Sequence, residues 1–356
     1  MKTKLVYVLT CAPEKNYIEQ AHMAILSARH YNPSATIVLI MDDKTDALLT
    51  GKRGEVLKYI SEKIVVPFEN ESLTPMYRSR WIKTQVRELV EGDILFVDCD
   101  TICCGDLSGI DKLTNEVGAV GDNNVEFSKD VSRDGTIGQV ASLCDISNEK
   151  YYFSSGVIYC KDTKNAHILF ALWHDNWKEG VTKGLYIDQP ALAKANIEMS
   201  HLIEPIDDAY NSILYTQNVN LSKALILHIS SYQQTSLLFD SKILKYVKEH
   251  GMTSWVSEMI LRVHATYLPY DYAIKYSNMR QRMNWIGDIA HVARMYGSHI
   301  DAEYDVWNMR CGFAPVLRQL YRCRMYGLST FLWMEYQRLR LAKKRNLRPN
   351  VCSIEE

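Results

Sequence analysis

No run of apolar residues in the 356-residue chain reaches the roughly 18 needed to cross a membrane as a helix. The nine cysteines include no C-x-x-C pair and keep no regular spacing, and Cys103 and Cys104 are adjacent. That pattern speaks against a disulfide framework, and reduced thiols in a cytoplasmic protein are the expectation. There is no internal repeat and no low-complexity linker. The apolar run Leu5-Val6-Tyr7-Val8-Leu9 is only five residues long and stops at Thr10-Cys11-Ala12-Pro13-Glu14. It is too short for a secretory signal and reads as a first β-strand.

Hydrophobic residues make up 47% of the chain and charged residues 23%, so a packed core is expected and disorder is not. The length suits one large domain or two modest ones. The net charge of −1 conceals an uneven distribution. Between Arg318 and Arg348 stand nine Lys/Arg and one Glu, net +8, leaving 32 basic and 41 acidic residues, net −9, elsewhere. An acidic body therefore carries a basic tail.

Strand and helix signals alternate as far as about residue 240. Tyr17–Tyr31 has apolar residues at helical spacing and is stopped by Asn32-Pro33. Thr36–Met41 reads as a second strand closed by Asp42-Asp43. A helix is expected over Lys44–Ile60, a short strand over Ile64–Pro67, and a helix over Ser79–Val90. Gly118–Asp122 reads as another strand, and the polar stretch 123–149 as a mobile loop or lid. Phe153–Tyr159, a helix over Asn165–Trp177, Asp188–Leu192 and a last strand Ala224–Leu227 running into His228 follow. Farther on, helices are expected at Lys242–Glu249, Ser254–His264, Met279–Met295 and Pro315–Lys344. This alternation implies an α/β domain over 1–240, with a parallel sheet and right-handed crossovers, and a helical region over 241–356.

Ile94-Leu95-Phe96-Val97 is the stretch of greatest chemical interest, because it reads as a buried central strand of a parallel sheet and ends in Asp98-Cys99-Asp100. Strand ends at the carboxyl edge of such a sheet face the ligand crevice. Two carboxylates placed there repel one another unless a cation lies between them, which points to Mg²⁺ or Mn²⁺ shared with phosphate oxygens. A solvated strand end is the alternative.

Further motifs follow in a set order: Thr10-Cys11-Ala12, Ser79-Arg80-Trp81-Ile82-Lys83, Leu95–Asp100, Phe153-Ser154-Ser155-Gly156-Val157, Asp188-Gln189-Pro190-Ala191-Leu192 and a late strand ending in His228. Over about residues 4–232 the series resembles nucleotide-diphospho-sugar transferases of the GT-A fold, of the family 8 type. The resemblance implies a Rossmann-like fold with a mostly parallel central sheet, here with a C-terminal helical extension. It also implies metal-dependent transfer of a hexose from a UDP-sugar to a glycan or lipid-linked acceptor, with retention of configuration.

By that resemblance Asp98, Asp100 and His228 hold Mn²⁺, with Mg²⁺ as the substitute, against the UDP diphosphate. A neutral imidazole beside two carboxylates favours Mn²⁺ over Mg²⁺, which prefers all-oxygen shells. Arg80 and Lys83, three apart on one helix face, fall where the family has basic residues near the diphosphate or sugar, with Arg78 competing for Arg80's role. Thr10 and Ala12 resemble positions whose backbone cradles the uracil, and Asp42 lies where a carboxylate holds ribose or is merely exposed. Ser154-Ser155-Gly156 stands where the family usually has Asn-Ala-Gly. Gly156 keeps the close backbone approach to the donor sugar, while the shorter Ser154 leaves the sugar's identity open. Asp188 would bind sugar hydroxyls and Gln189 would face the anomeric carbon. Asp188 before Pro190 also reads as a plain helix cap. Asp188, Asp207 and Asp208 leave an inverting base open.

In the basic tail, Tyr321, Tyr326, Phe331, Trp333 and Tyr336 are interleaved with the cationic residues of 318–348. This suits peripheral attachment to an anionic membrane surface, against a dimer face or packing on the catalytic domain as alternatives. No nucleic-acid recognition motif accompanies it. A sugar-1-phosphate nucleotidyltransferase would need a Gly-rich loop where Thr10-Cys11-Ala12-Pro13 stands. A phosphatase with an aspartyl nucleophile would continue from the acidic pair into Gly-Thr, where this chain has Thr101-Ile102. A non-catalytic nucleotide-sugar-binding protein at a membrane is the third alternative.

Overall fold

The structure, a computed structural model, describes residues 1–130, 132–213, 224–229, 241–254, 256–257 and 260–261. Its strands are β1 (Lys4–Leu9), β2 (Ile37–Asp42), β3 (Glu62–Val66), β4 (Ile94–Val97), β5 (Thr101–Cys103), β6 (Val117–Gly121), β7 (Phe153–Cys160), β8 (Ile203–Pro205), β9 (Ser212–Ile213) and β10 (Ile226–His228). Its α-helices are α1 (Tyr17–Tyr31), α2 (Asp43–Asp46), α3 (Pro75–Lys83), α4 (Val86–Leu89), α5 (Arg133–Val140), α6 (Lys164–Thr182), α7 (Gln189–Glu198) and α8 (Ser241–His250).

Among the described residues seven strands form one sheet in the order β3-β2-β1-β4-β7-β6-β8. β7 runs antiparallel to β4 and β6, and every other pairing in this sheet is parallel. The mostly parallel α/β architecture expected from the alternating signals is present. The central strand β4 departs from expectation on one side only, where it meets β7 antiparallel. β2, β4, β6 and β7 are buried along their whole length, as continuous apolar runs require when both faces are covered. Alternate residues of β1 serve the two faces. Leu5, Tyr7 and Leu9 pack with Ile25 of α1, whereas Val6 and Val8 pack with Ile82, Phe170 and Trp173 of α3 and α6.

Three expectations about local structure change. Lys44–Ile60 is not one helix: α2 stops after Asp46, Gly51 takes φ +53°, and a 3₁₀ segment covers Arg53–Lys58. The Ser79–Val90 helix starts earlier, at Pro75, where the Thr74 side chain accepts from Tyr77 N, and it breaks after Lys83 before the short α4. The 123–149 stretch is not a bare loop. It holds α5 and buries Phe127, Val140 and Ile146 against Tyr152, apolar residues too scattered to show a period.

Because β1, β2, β4 and β6 run the same way, the segments after them share one sheet edge: Thr10, Asp42, Asp98 and Asp122 follow directly or are the last residue. A smaller sheet, β5-β10-β9, sits beyond that edge. β10 pairs antiparallel with β5, placing His228 opposite Thr101. Ile229 N donates to Asp100 O at 2.8 Å, and Thr101 Oγ1 to Asp98 O at 2.8 Å. The strand that ends in His228 is thereby folded back onto the acidic turn.

α8 agrees with the helix expected at Lys242–Glu249. The helices at Met279–Met295 and Pro315–Lys344 and the basic tail 318–348 lie outside the described residues, as does most of Ser254–His264. Among the described residues no helix is long and apolar enough to cross a membrane.

Candidate active site

Asp98, Asp100 and His228 come together at the end of β4, each with a ligand atom within 4.8 Å of the other two. His228 Nε2 lies 3.2 Å from Asp100 Oδ1. The three side chains are 28%, 19% and 12% exposed, enough for a ligand to reach them from one side. Burial pushes the Asp98 carboxyl up, the neighbouring Asp100 adds to this, and Lys83 and His228 oppose it. Burial alone would lower His228, but the Asp100 carboxylate against its ring outweighs that and raises it. Two acids and an imidazole with open sides suit a divalent cation.

Gly156 of β7 makes this convergence sterically feasible. A Cβ at this position would stand 2.8 Å from His228 Nδ1 and 3.2 Å from Asp98 Oδ2, while Gly156 O accepts from Asp98 N at 2.8 Å. The missing side chain is what leaves room for the ring.

Lys83 ties this cluster to a second one. Its Nζ, on a side chain only 3% exposed, is 3.2 Å from the Asp98 carboxylate, 3.2 Å from Asp188 Oδ2 and 3.3 Å from Ser155 Oγ. It also lies 5.1 Å from the centroid of the Phe96 ring, a cation–π contact. Arg80 Nε reaches Asp188 Oδ1 at 2.8 Å. Asp188 occupies the N-cap position of α7 yet makes no side-chain capping bond, so the plain helix-cap reading is excluded. Trp173 Nε1 donates to its carbonyl at 2.9 Å and holds the turn in place. Burial would raise the Asp188 carboxyl, but the cations of Lys83 and Arg80 hold it at about 2.

The other expected residues divide. Thr10 is buried and its hydroxyl donates to Pro75 O at 2.6 Å, tying the loop after β1 to the start of α3. Ala12, partly exposed, accepts from Lys15 N at 3.0 Å. Asp42 is not an exposed strand-end acid. It is completely buried, Oδ1 accepts from Thr45 N at 2.9 Å, and Oδ2 is paired with Arg78 Nε. That pairing removes Arg78 from competition with Arg80. Ser154 Oγ accepts from Asn211 Nδ2 at 3.1 Å and from Gly156 N at 3.3 Å. Asp207 and Asp208 are exposed, and Asp207 Oδ1 caps Ala209 N.

Two residues of the site escaped the sequence reading. Asp122 follows β6 as Asp98 follows β4; burial raises its carboxyl and the Gln189 side chain opposes this. A carboxylate after a strand with the same direction as β4 was the available signal. Asn211, completely buried, faces His228 Nδ1 at 3.0 Å. Nothing local in Tyr210-Asn211-Ser212 marks it.

No protein-family model matches the chain, and no curated protein matches it. Among solved structures the chain is similar to the bifunctional glycosyltransferase WbbM in its apo form, at 15% identity and a TM-score of 0.48, covering 72% of this chain and 50% of WbbM. The chain thus spans about half of that protein. It is also similar to the galactosyltransferase LgtC in complex with donor and acceptor sugar analogues, at 14% identity and a TM-score of 0.48, covering 70% of this chain and 97% of that one. A third similar structure is the glycosyltransferase GlyE of Streptococcus pneumoniae, at 17% identity and a TM-score of 0.46, covering 77% of this chain and 66% of that one.

Proposed function

We propose that this protein is a metal-dependent glycosyltransferase that moves a hexose from a UDP-sugar to a glycan or lipid-linked acceptor. The observation that carries this reading is the double ion pair of Lys83, which joins the Asp98/Asp100/His228 cluster to Asp188. A nucleotide-sugar has a diphosphate beside a sugar, and the site has a cation-ligating cluster beside an ionised hydroxyl acceptor. The motif order along the sequence supports the same assignment.

Asp98, Asp100 and His228 would hold a divalent cation, Mn²⁺ by their mixed oxygen and nitrogen donors, and this would offset charge growing on the departing diphosphate. Asp188 stays ionised at neutral pH and accepts hydrogen bonds from donor-sugar hydroxyls, aimed by Lys83 and Arg80. A carboxyl held at about 2 is a poor base for an acceptor hydroxyl. Asp188 is thereby removed as an inverting base, and in a retaining reaction Gln189 would face the anomeric carbon. Asp122, raised by burial and bordering Gln189, is the base that an inverting reaction would use. The anomeric configuration of the product separates the two.

The test is a thermal-shift panel of UDP- and GDP-sugars with and without Mn²⁺, since a ligand that binds the native state raises its melting temperature. A UDP-sugar shift that needs Mn²⁺ and disappears in Asp100→Asn is expected, followed by transfer or slow donor hydrolysis. A shift with sugar phosphates and Mg²⁺ alone would instead support the nucleotidyltransferase or phosphatase reading. UDP binding without turnover of any donor would support a non-catalytic binder. We also propose that the 318–348 tail seats the protein on the inner face of a membrane. Deleting 318–356 should then lower binding to anionic vesicles, and unchanged binding would refute this.

A further inference from the structure

We propose that Asn211 is a positioning residue that fixes the tautomer of His228, with Ser154 as its anchor. The proposal rests on the reading of Asp98, Asp100 and His228 as metal ligands. An imidazole can ligate a cation only through a nitrogen that carries no hydrogen, so the other nitrogen must hold the proton and find an acceptor. Nε2 is the nitrogen that faces the acids, 3.2 Å from Asp100 Oδ1. Nδ1 faces Asn211 Oδ1 at 3.0 Å.

The Asn211 amide is held in one orientation. Its Nδ2 donates to Ser154 Oγ at 3.1 Å, and that oxygen also accepts from Gly156 N at 3.3 Å. With the N–H₂ end committed to Ser154, the carbonyl end is the one turned to the ring, and Nδ1–H donates to it. The backbone is clamped as well. Asn211 O accepts from Asn124 Nδ2 at 2.9 Å, and Asn124 Oδ1 accepts from Ile213 N at 2.9 Å. β9, which begins at the next residue, pairs in parallel with β10 so that Ile213 lies opposite His228. Asn211 is completely buried, with no room to swing away. Its amide therefore keeps a hydrogen on Nδ1 and leaves Nε2, which faces the acids, as the nitrogen that can give up its hydrogen to take a cation. Ser154 Oγ thus accepts from both Asn211 and Gly156.

Two readouts on the full chain test this: Mn²⁺ affinity by calorimetry, and the histidine ring nitrogens by long-range ¹H–¹⁵N correlation of metal-free protein at a pH where the ring is neutral, with His228→Gln assigning the signals. Asn211→Ala should weaken Mn²⁺ binding by about 10- to 100-fold, the usual effect of losing an outer partner of a ligating histidine. Asn211→Asp should keep most of the affinity, because a carboxylate accepts the same Nδ1–H. Ser154→Ala should lose less than Asn211→Ala. The wild-type ring should carry its hydrogen on Nδ1. Wild-type affinity in Asn211→Ala, or a neutral ring protonated on Nε2, overturns the proposal. If wild type binds no Mn²⁺, the metal reading fails and the ring spectrum still decides the tautomer. The same spectrum decides if Asn211→Ala does not fold.

Discussion

The imidazole of His228 fills the space that a side chain at Gly156 would need, a Cβ there standing 2.8 Å from Nδ1. The glycine lies in a strand and has no positive φ, so an alanine is tolerated by the backbone and opposed only by the ring and Asp98. Gly156→Ala should leave a folded protein whose Mn²⁺ affinity is at least about tenfold lower, the scale on which disturbing a ligating histidine acts. Calorimetry checks this, and an unchanged dissociation constant would show that the ring does not need its seat.

Asp188 makes stability depend on pH in a defined window. Its carboxyl is held at about 2, against an ordinary 3.8. Between those values the unfolded chain binds more protons, so stability rises with pH. The contribution, about 2 kcal/mol, is present above the ordinary value and is lost as pH falls toward the folded one. Urea unfolding at about pH 5 and about pH 2.5 should show wild type losing more stability than Asp188→Asn, by an amount of this order. Equal losses would mean that Lys83 and Arg80 do not hold the charge.

Lys83→Met removes the buried cation that spans Asp98 and Asp188 and leaves Asp188 with Arg80 alone. Breaking such a pair costs about 3 kcal/mol or more. The same change made on Asp188→Asn should cost clearly less, giving a coupling of at least about 1 kcal/mol in a double-mutant cycle. Additive losses in denaturant titrations would argue against the bridge.

Asp42 has no exposed oxygen to offer, since Thr45 N and Arg78 take both. Asp42→Ala should therefore cost about 3 kcal/mol of stability through the stranded Arg78. Donor affinity of the remaining folded protein should stay within about twofold, well under the tenfold that 1.4 kcal/mol represents. A variant that melts like wild type but binds UDP-sugar weakly would restore the ribose role.

Much of the fold was legible because its signals are local. Short unbroken apolar runs such as Leu5–Leu9 and Ile94–Val97, bounded by turn residues, read as strands covered on both faces, and the period of Tyr17–Tyr31 marks a helix. Lys44–Ile60 misled because its apolar residues keep helical spacing, whereas α2 stops after Asp46 and Gly51, at φ +53°, separates it from the 3₁₀ segment. The acidic pair was legible too, since chain direction alone puts it at the ligand edge of the sheet.

From sequence alone came the strands, the edge of the sheet where the acidic pair stands, and the residue types that meet there. Tertiary structure alone decided which partner each charge takes. Arg78 went to Asp42 and Arg80 to Asp188 although both cations sit on one helix, and Asn211 reached a serine 57 residues away. Periodicity records only which face of its own element a side chain occupies. Partners are chosen where elements distant in the chain pack together, by the space a glycine leaves open and by the need of every buried charge for its opposite.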